Sequence, residues 1–157
     1  IMATIQKFED LVMFQKAREL SKGVYESLKK CSDNGFKDQI QRASVSVVSN
    51  IAEGFESGSR EMFLNYLYIA KGSSGEVRAQ LYVGYDIGYL NIETFKYLKG
   101  KAEECSRLIS SFILKVKKND LGGLRRKIEQ KDDPMKNIIE AGYIILPNGQ
   151  VIPKSNL

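Results

Sequence analysis

Four stretches of the chain repeat apolar side chains every three or four residues, the spacing that lines one face of an α-helix. From Phe8 to Lys30 the repeat is Met13, Ala17, Leu20, Val24 and Leu28, with Phe14 and Tyr25 beside it. Glu9 and Asp10 are expected in the first turn of that helix and Lys29 and Lys30 in its last, each favoured by the helix dipole. Ser32 to Gly35 interrupts the pattern, which resumes as Phe36, Ile40, Ala43, Val47 and Ile51 and ends near Gly54. After the short turn ESGS at 56–59, a third helix from about Arg60 to Tyr89 carries Phe63, Leu67, Ala70, Ser74, Val77, Leu81 and Gly84 in four-three alternation, a bundle seam. The fourth, Glu93 to Lys117, carries Phe95, Leu98, Ala102, Cys105, Ile109, Phe112 and Val116. Connections this short make successive helices antiparallel neighbours. The fold class is therefore all-α: an antiparallel up-down-up-down four-helix bundle over residues 1–118, with a basic C-terminal extension, 119–157, that is not an independent domain. In the extension, 121–130 (LGGLRRKIEQ) suits a short helix, KDDP at 131–134 interrupts it, and Tyr143 to Pro153 suits a β-hairpin turning at Asn148-Gly149. An isolated hairpin is marginal in water, so it needs the bundle, a neighbouring copy or a partner to pack on.

The second helix has two stripes. Beside its apolar face, Gln39, Arg42, Ser46, Asn50 and Glu53 recur at the same spacing, mostly small or neutral hydrogen-bonding groups around a single Arg. That composition suits a helix packed on two sides, either with a buried polar network that fixes register or with a ligand-binding or catalytic stripe. A turn centred on 55–58 makes facing residue numbers on helices two and three sum to about 113, which sets Asn50 near Phe63 and Arg42 near 70–74 with Glu76 a turn away. A network joining Arg42 and Ser46 to Ser73 and Glu76 is expected, in which Glu76→Ala would strand a buried Arg42 at a cost of several kcal/mol. Gly72, Gly75, Gly84 and Gly88 each cost roughly 1 kcal/mol inside a helix, and close approach of a neighbouring helix is the expected reason. Apolar residues outside the seams (Leu64, Tyr68, Ile69, then Tyr82, Tyr85 and Tyr89) exceed what one bundle needs and point to self-association. The tyrosines at helical spacing read first as packing, and second as platforms for nucleic-acid bases.

Composition narrows the chemistry. With 157 residues and 43% hydrophobic content the chain can bury a core without disulfides. It has no His and two Cys, so the usual zinc and haem ligand sets and any Ser-His or Cys-His nucleophile pair are missing; no cofactor or metal is expected. Cys31 and Cys105 would be separated along the bundle by on the order of 18 Å, too far for a disulfide, and are expected as free thiols. No apolar run reaches the roughly 20 residues that cross a bilayer, and the start, IMATIQKFEDL, has no basic segment leading into an apolar core; a cytoplasmic location is the expectation. The net charge of +5 is not spread evenly: Lys99 to Lys131 holds ten basic and four acidic residues, leaving the rest of the chain near neutral. Such a concentration suits an anionic partner, nucleic acid first, or simply a solvated helix.

FEDL at 8–11, QIQRA at 39–43, Ser46 followed by SNIAEG at 49–54, and AKGSSGE at 70–76 together resemble the four-helix proteins encoded in 23S ribosomal RNA intervening sequences. The resemblance spans about residues 8–118. It implies a four-helix bundle assembled as a ring-like homopentamer, and related bundles serve as accessory variability determinants of diversity-generating retroelements, where a basic pentamer contacts a reverse transcriptase and nucleic acid. Arg42, Ser46, Asn50, Glu53, Ser73 and Glu76 match the family's motif positions, and the resemblance supplies no active site, so they stand as a structural polar network. Three functions follow. The first is a non-enzymatic oligomeric adaptor whose Lys115, Lys117, Lys118, Arg125, Arg126 and Lys127 contact phosphates of RNA or DNA. The second is a protein-interaction scaffold, such as an accessory subunit of a reverse transcriptase. The third, an enzyme using Glu53, Glu76 and Arg42, is disfavoured because those groups can satisfy one another.

Overall fold

In a computed structural model, residues 5–118, 142–145 and 151–156 are described. Four helices form: α1 Val12–Ser27, α2 Asn34–Glu56, α3 Arg60–Asp86 and α4 Ile92–Lys117. Each packs on its neighbours in sequence, and α1 closes the square against α4. Cross-helix contacts fix the directions. As residue numbers rise on one helix they fall on the next: Ser46 meets Ser73 and Gly54 meets Phe63; Arg60 meets Val116 and Ser74 meets Ala102; Glu19 meets Lys101 and Gly23 meets Leu98. The bundle is therefore antiparallel throughout. Tyr143–Ile145 (β1) and Val151–Pro153 (β2) pair antiparallel, with Ile144 opposite Ile152; the intervening turn and the stretch proposed as a basic helix lie outside the described residues.

The seams behave as the periodicity requires. Met13, Ala17, Leu20, Val24 and Leu28 are buried, as are Ile40, Ala43, Val47 and Ile51 on α2. All seven α3 seam positions are buried, and on α4 the series runs to Val116, with Ile113 buried and Phe112 half-buried. Helix starts are written in cap residues: Asp33 accepts from the Phe36 N–H at 2.9 Å, Ser59 from Met62 at 3.4 Å and Asn91 from Thr94 at 2.8 Å.

Several helix ends differ from expectation, most of all at the first and third helices. The first helix begins later, because Phe8–Asp10 forms a separate 3-10 turn and Leu11, buried to 2%, is held extended before α1. Phe8 packs edge-on against Phe14, which ties the turn to the core. Glu9 and Asp10 therefore precede the helix instead of occupying its first turn, and Lys29 and Lys30 follow its end. The third helix stops at Asp86, because Gly88 takes φ +83 and the Tyr89 and Gly88 N–H groups donate to Gly84 and Tyr85, a Schellman cap that only glycine enters without strain. Gly88 is thus a cap. Of the other three α3 glycines only Gly84 admits a close neighbour: a Cβ there would lie 2.7 Å from the Phe36 ring, whereas none lies within 4 Å of one at Gly72 or Gly75. Close approach within the chain explains Gly84 and not Gly72 or Gly75.

Candidate functional site

The motif residues of α2 and α3 divide into two groups. Ser46 Oγ and Ser73 Oγ share a hydrogen bond at 2.9 Å, and Asn50 Nδ2 donates to Ser46 O and Oγ at 2.8 and 3.0 Å. Ser73 is buried and the other two are half-buried, so this small network bridges the α2–α3 seam. Ser74, one residue on, turns to the opposite side and donates to the Ala102 carbonyl at 2.8 Å, locking α3 to α4.

Arg42, Glu53 and Glu76 are not part of that network. All three are exposed. The Arg42 side chain keeps 81% of its surface and sits 3.8 Å from Asp38, its own neighbour one turn back. Glu76 accepts from Gln80 Nε2 at 3.3 Å. The expected Arg42–Glu76 pair is absent although the register brings the two level: Ser46 meets Ser73 where a turn at 55–58 puts Leu67, which sets Arg42 opposite 75–77, but both side chains are exposed to water and Arg42 turns to Asp38. Asn50 is accordingly displaced from Phe63, whose ring packs at Gly54 instead. Arg42 and Glu76 do line one open cleft of about 380 Å³ with Asp38, Gln39, Ala43 and Ser46. The charges around it are in water, so they hold no buried ion pair.

Both cysteines are free. Burial pushes the Cys105 thiol up to about 12. At the opposite end of α3 from its start, Tyr89 donates to Asp33 Oδ2 at 2.9 Å; the Phe36 N–H first and this hydroxyl second hold the Asp33 carboxyl below its usual range, and the same bond raises the Tyr89 phenol. Glu19 joins α1 to α4 through Lys101 at 2.6 Å, with Lys16 alongside, and both lysines lower its carboxyl.

Lys115, Lys117 and Lys118 are exposed at the end of α4, and none has an ion-pair partner among the described residues. Arg125, Arg126 and Lys127 lie outside the described residues. Arg60 was not singled out by sequence, yet its guanidinium donates to the Val116 and Lys117 carbonyls at 3.0 and 2.6 Å and caps α4 from the start of α3. Lys117 Nζ lies 5.3 Å above the Tyr68 ring, and Lys99 Nζ lies 5.9 Å above Tyr82. Pairing the helical phases of α3 and α4 is the signal that finds these contacts.

Fold and site together define a small antiparallel helical bundle with a polar clasp between its middle helices and a basic end. The profile of the 23S rRNA-intervening sequence protein family matches residues 9–111, and the chain belongs to that family. Among solved structures it is similar to a protein of unknown function from the S23 ribosomal protein family of Bacteroides thetaiotaomicron VPI-5482, at 25% identity and a TM-score of 0.62, covering 65% of this chain and 98% of that one. No curated protein matches. Among the described residues no helix is long and apolar enough to cross a membrane.

Proposed function

We propose that the protein is a non-enzymatic, cytoplasmic adaptor, a ring-like homopentamer that binds nucleic acid through a basic surface. The observation that carries the reading is the unpaired cluster Lys115, Lys117 and Lys118 at the exposed end of α4, where the chain enters its most basic segment. Lysines without carboxylate partners remain available to phosphates, and their binding releases counterions. Assembly is supported by a separate stripe along the outer side of α3: Met62, Ile69 and Val83 are exposed at 46–52%, with Gly72 and Ala79 beside them leaving room for a second backbone and the exposed Glu76 the one charge in the series. The test is absolute mass by light scattering, followed by titration of labelled structured RNA and duplex DNA at two salt concentrations. A pentamer with salt-sensitive binding supports the reading; a monomer, or a pentamer that binds neither at low salt, refutes it.

The same apolar stripe favours a second reading, a scaffold for a protein partner such as a retroelement reverse transcriptase. Co-expression with a reverse transcriptase encoded nearby would yield a complex. Its survival after removal of residues 120–157 would place the contact on the bundle and exclude the extension.

A further inference from the structure

The two flanks of α3 differ in charge and in the side chains they offer. Ser73 points to α2 and Ser74 to α4, and these two contacts fix the phase of the helix. Counting turns from Ser73, the α2-ward flank carries Glu76, and the cleft there adds Asp38 against a single Arg42. Counting from Ser74, the α4-ward flank carries Tyr68, Lys71, Gly75, Arg78 and Tyr82, and the facing side of α4 contributes Lys99, Ser106, Ser110 and Lys117. Glu103 faces this flank from α4, 3.3 Å from Lys99, and Asp86, one turn beyond Tyr82, is a second carboxylate at the far end of α3. The flank is basic, and its floor is small where Gly75 and the two serines sit.

Its aromatic rings are also available. Tyr68 and Tyr82 are each 46% exposed, and each has a lysine ammonium over its face. Tyr82 rests edge-on against Phe95, with ring centroids 5.0 Å apart, which fixes its position and leaves a face outward. Tyr68 and Tyr82 are four turns apart, about 21 Å, the length of roughly six nucleotides of a stacked single strand.

We propose that the α3–α4 flank is a binding track for single-stranded nucleic acid, in which bases stack on Tyr68 and Tyr82 and the displaced Lys117 and Lys99, with Lys71 and Arg78, take the phosphates. This rests on the nucleic-acid reading given above and names its surface and strand type. Aromatic faces about 21 Å apart are reached by unpaired bases and not by the stacked interior of a duplex. An exposed cation over a ring is held weakly, whereas a base stacked on the ring is held more strongly and leaves the ammonium free to follow the phosphate.

The experiment is a titration of the full chain with a labelled single strand of about 12 nucleotides and with the matching duplex, at several salt concentrations. Tyr68→Leu/Tyr82→Leu is expected to weaken single-strand binding by about tenfold or more with the salt slope unchanged, and to leave duplex binding as it was. Tyr68→Phe/Tyr82→Phe should restore it. Lys71→Gln/Lys99→Gln should instead lower the salt slope. Circular dichroism and light scattering on each variant establish that fold and assembly are intact. If the wild type binds and the leucine variant, folded and assembled, binds the single strand equally well, the track is overturned while the nucleic-acid reading stands. If the wild type binds neither probe at low salt, both fall.

Discussion

Gly54→Ala and Gly75→Ala make the same chemical change on two helices of one bundle, and the structure gives them opposite signs. At Gly54 a Cβ would lie 2.8 Å from both Phe63 Cδ2 and Tyr66 Cβ. Tyr66 Cβ is fixed to the α3 backbone, so no side-chain rotation relieves the clash and α2 must move away from α3. Overpacking of this kind costs about 1–3 kcal/mol, and the helix-propensity gain of replacing glycine offsets at most about 1. The net expectation is a loss of about 1–2 kcal/mol. At Gly75 a Cβ meets nothing within 4 Å, so the propensity gain stands alone and the bundle should gain about 1 kcal/mol. Urea denaturation at a fixed protein concentration reads both. With a slope of about 1–3 kcal/mol per molar, the Gly54→Ala midpoint should fall and the Gly75→Ala midpoint rise by roughly 0.5 M each. A neutral or stabilising Gly54→Ala would refute the tight α2–α3 contact. A destabilising Gly75→Ala would show that something outside this chain occupies the space beside it. Gly72→Ala, on the proposed assembly stripe, should lower the mass seen by light scattering without lowering helix content.

The remaining expectations concern single groups. Cys105, buried and with its thiol raised to about 12, should resist a thiol reagent near pH 8 until the protein unfolds, while the half-buried Cys31 reacts in the native state; equal native rates would contradict the burial. Glu76→Ala should change stability by less than about 0.5 kcal/mol, because the side chain is exposed, whereas Ser73→Ala should cost about 1 kcal/mol by removing the half-buried bond to Ser46. Asp33 titrates below its ordinary value when folded, so its contribution is complete above the unfolded carboxyl value near 4 and disappears as pH falls through the lowered one. Tyr89→Phe removes one cause of that lowering, and an acid transition that moves towards higher pH in the variant would be the expected readout.

How far the sequence reaches can be judged from particular residues. The seams are legible because apolar spacing is local: once Phe63, Leu67 and Ala70 are placed on a helix, Val77 and Leu81 follow by phase, and all are buried. The cap residues Asp33 and Asn91 carry an equally local signal, which the apolar pattern alone passes over. What one helix cannot specify is its register against the next. α2 runs two residues past Gly54 and Ser46 meets Ser73 in place of Leu67, yet Arg42, brought level with Glu76, pairs with Asp38 in water instead. The beginning of α1 depends on Leu11 entering the core, a long-range contact that propensity does not see. Gly88 illustrates the complementary difficulty: read by count it belongs to a costly helix interior, and only its positive φ shows it ending the helix. Arg60 escaped notice because its partners are backbone carbonyls 56 and 57 residues away.

The central claim is that a basic bundle of this kind works by binding nucleic acid. The most direct test is the equilibrium affinity of the full chain for a labelled RNA measured from about 50 to 200 mM salt. The account predicts binding at the low end that weakens steeply, with a log–log slope reporting several phosphate contacts. Absence of binding at about 50 mM salt, or an affinity indifferent to salt, would contradict it.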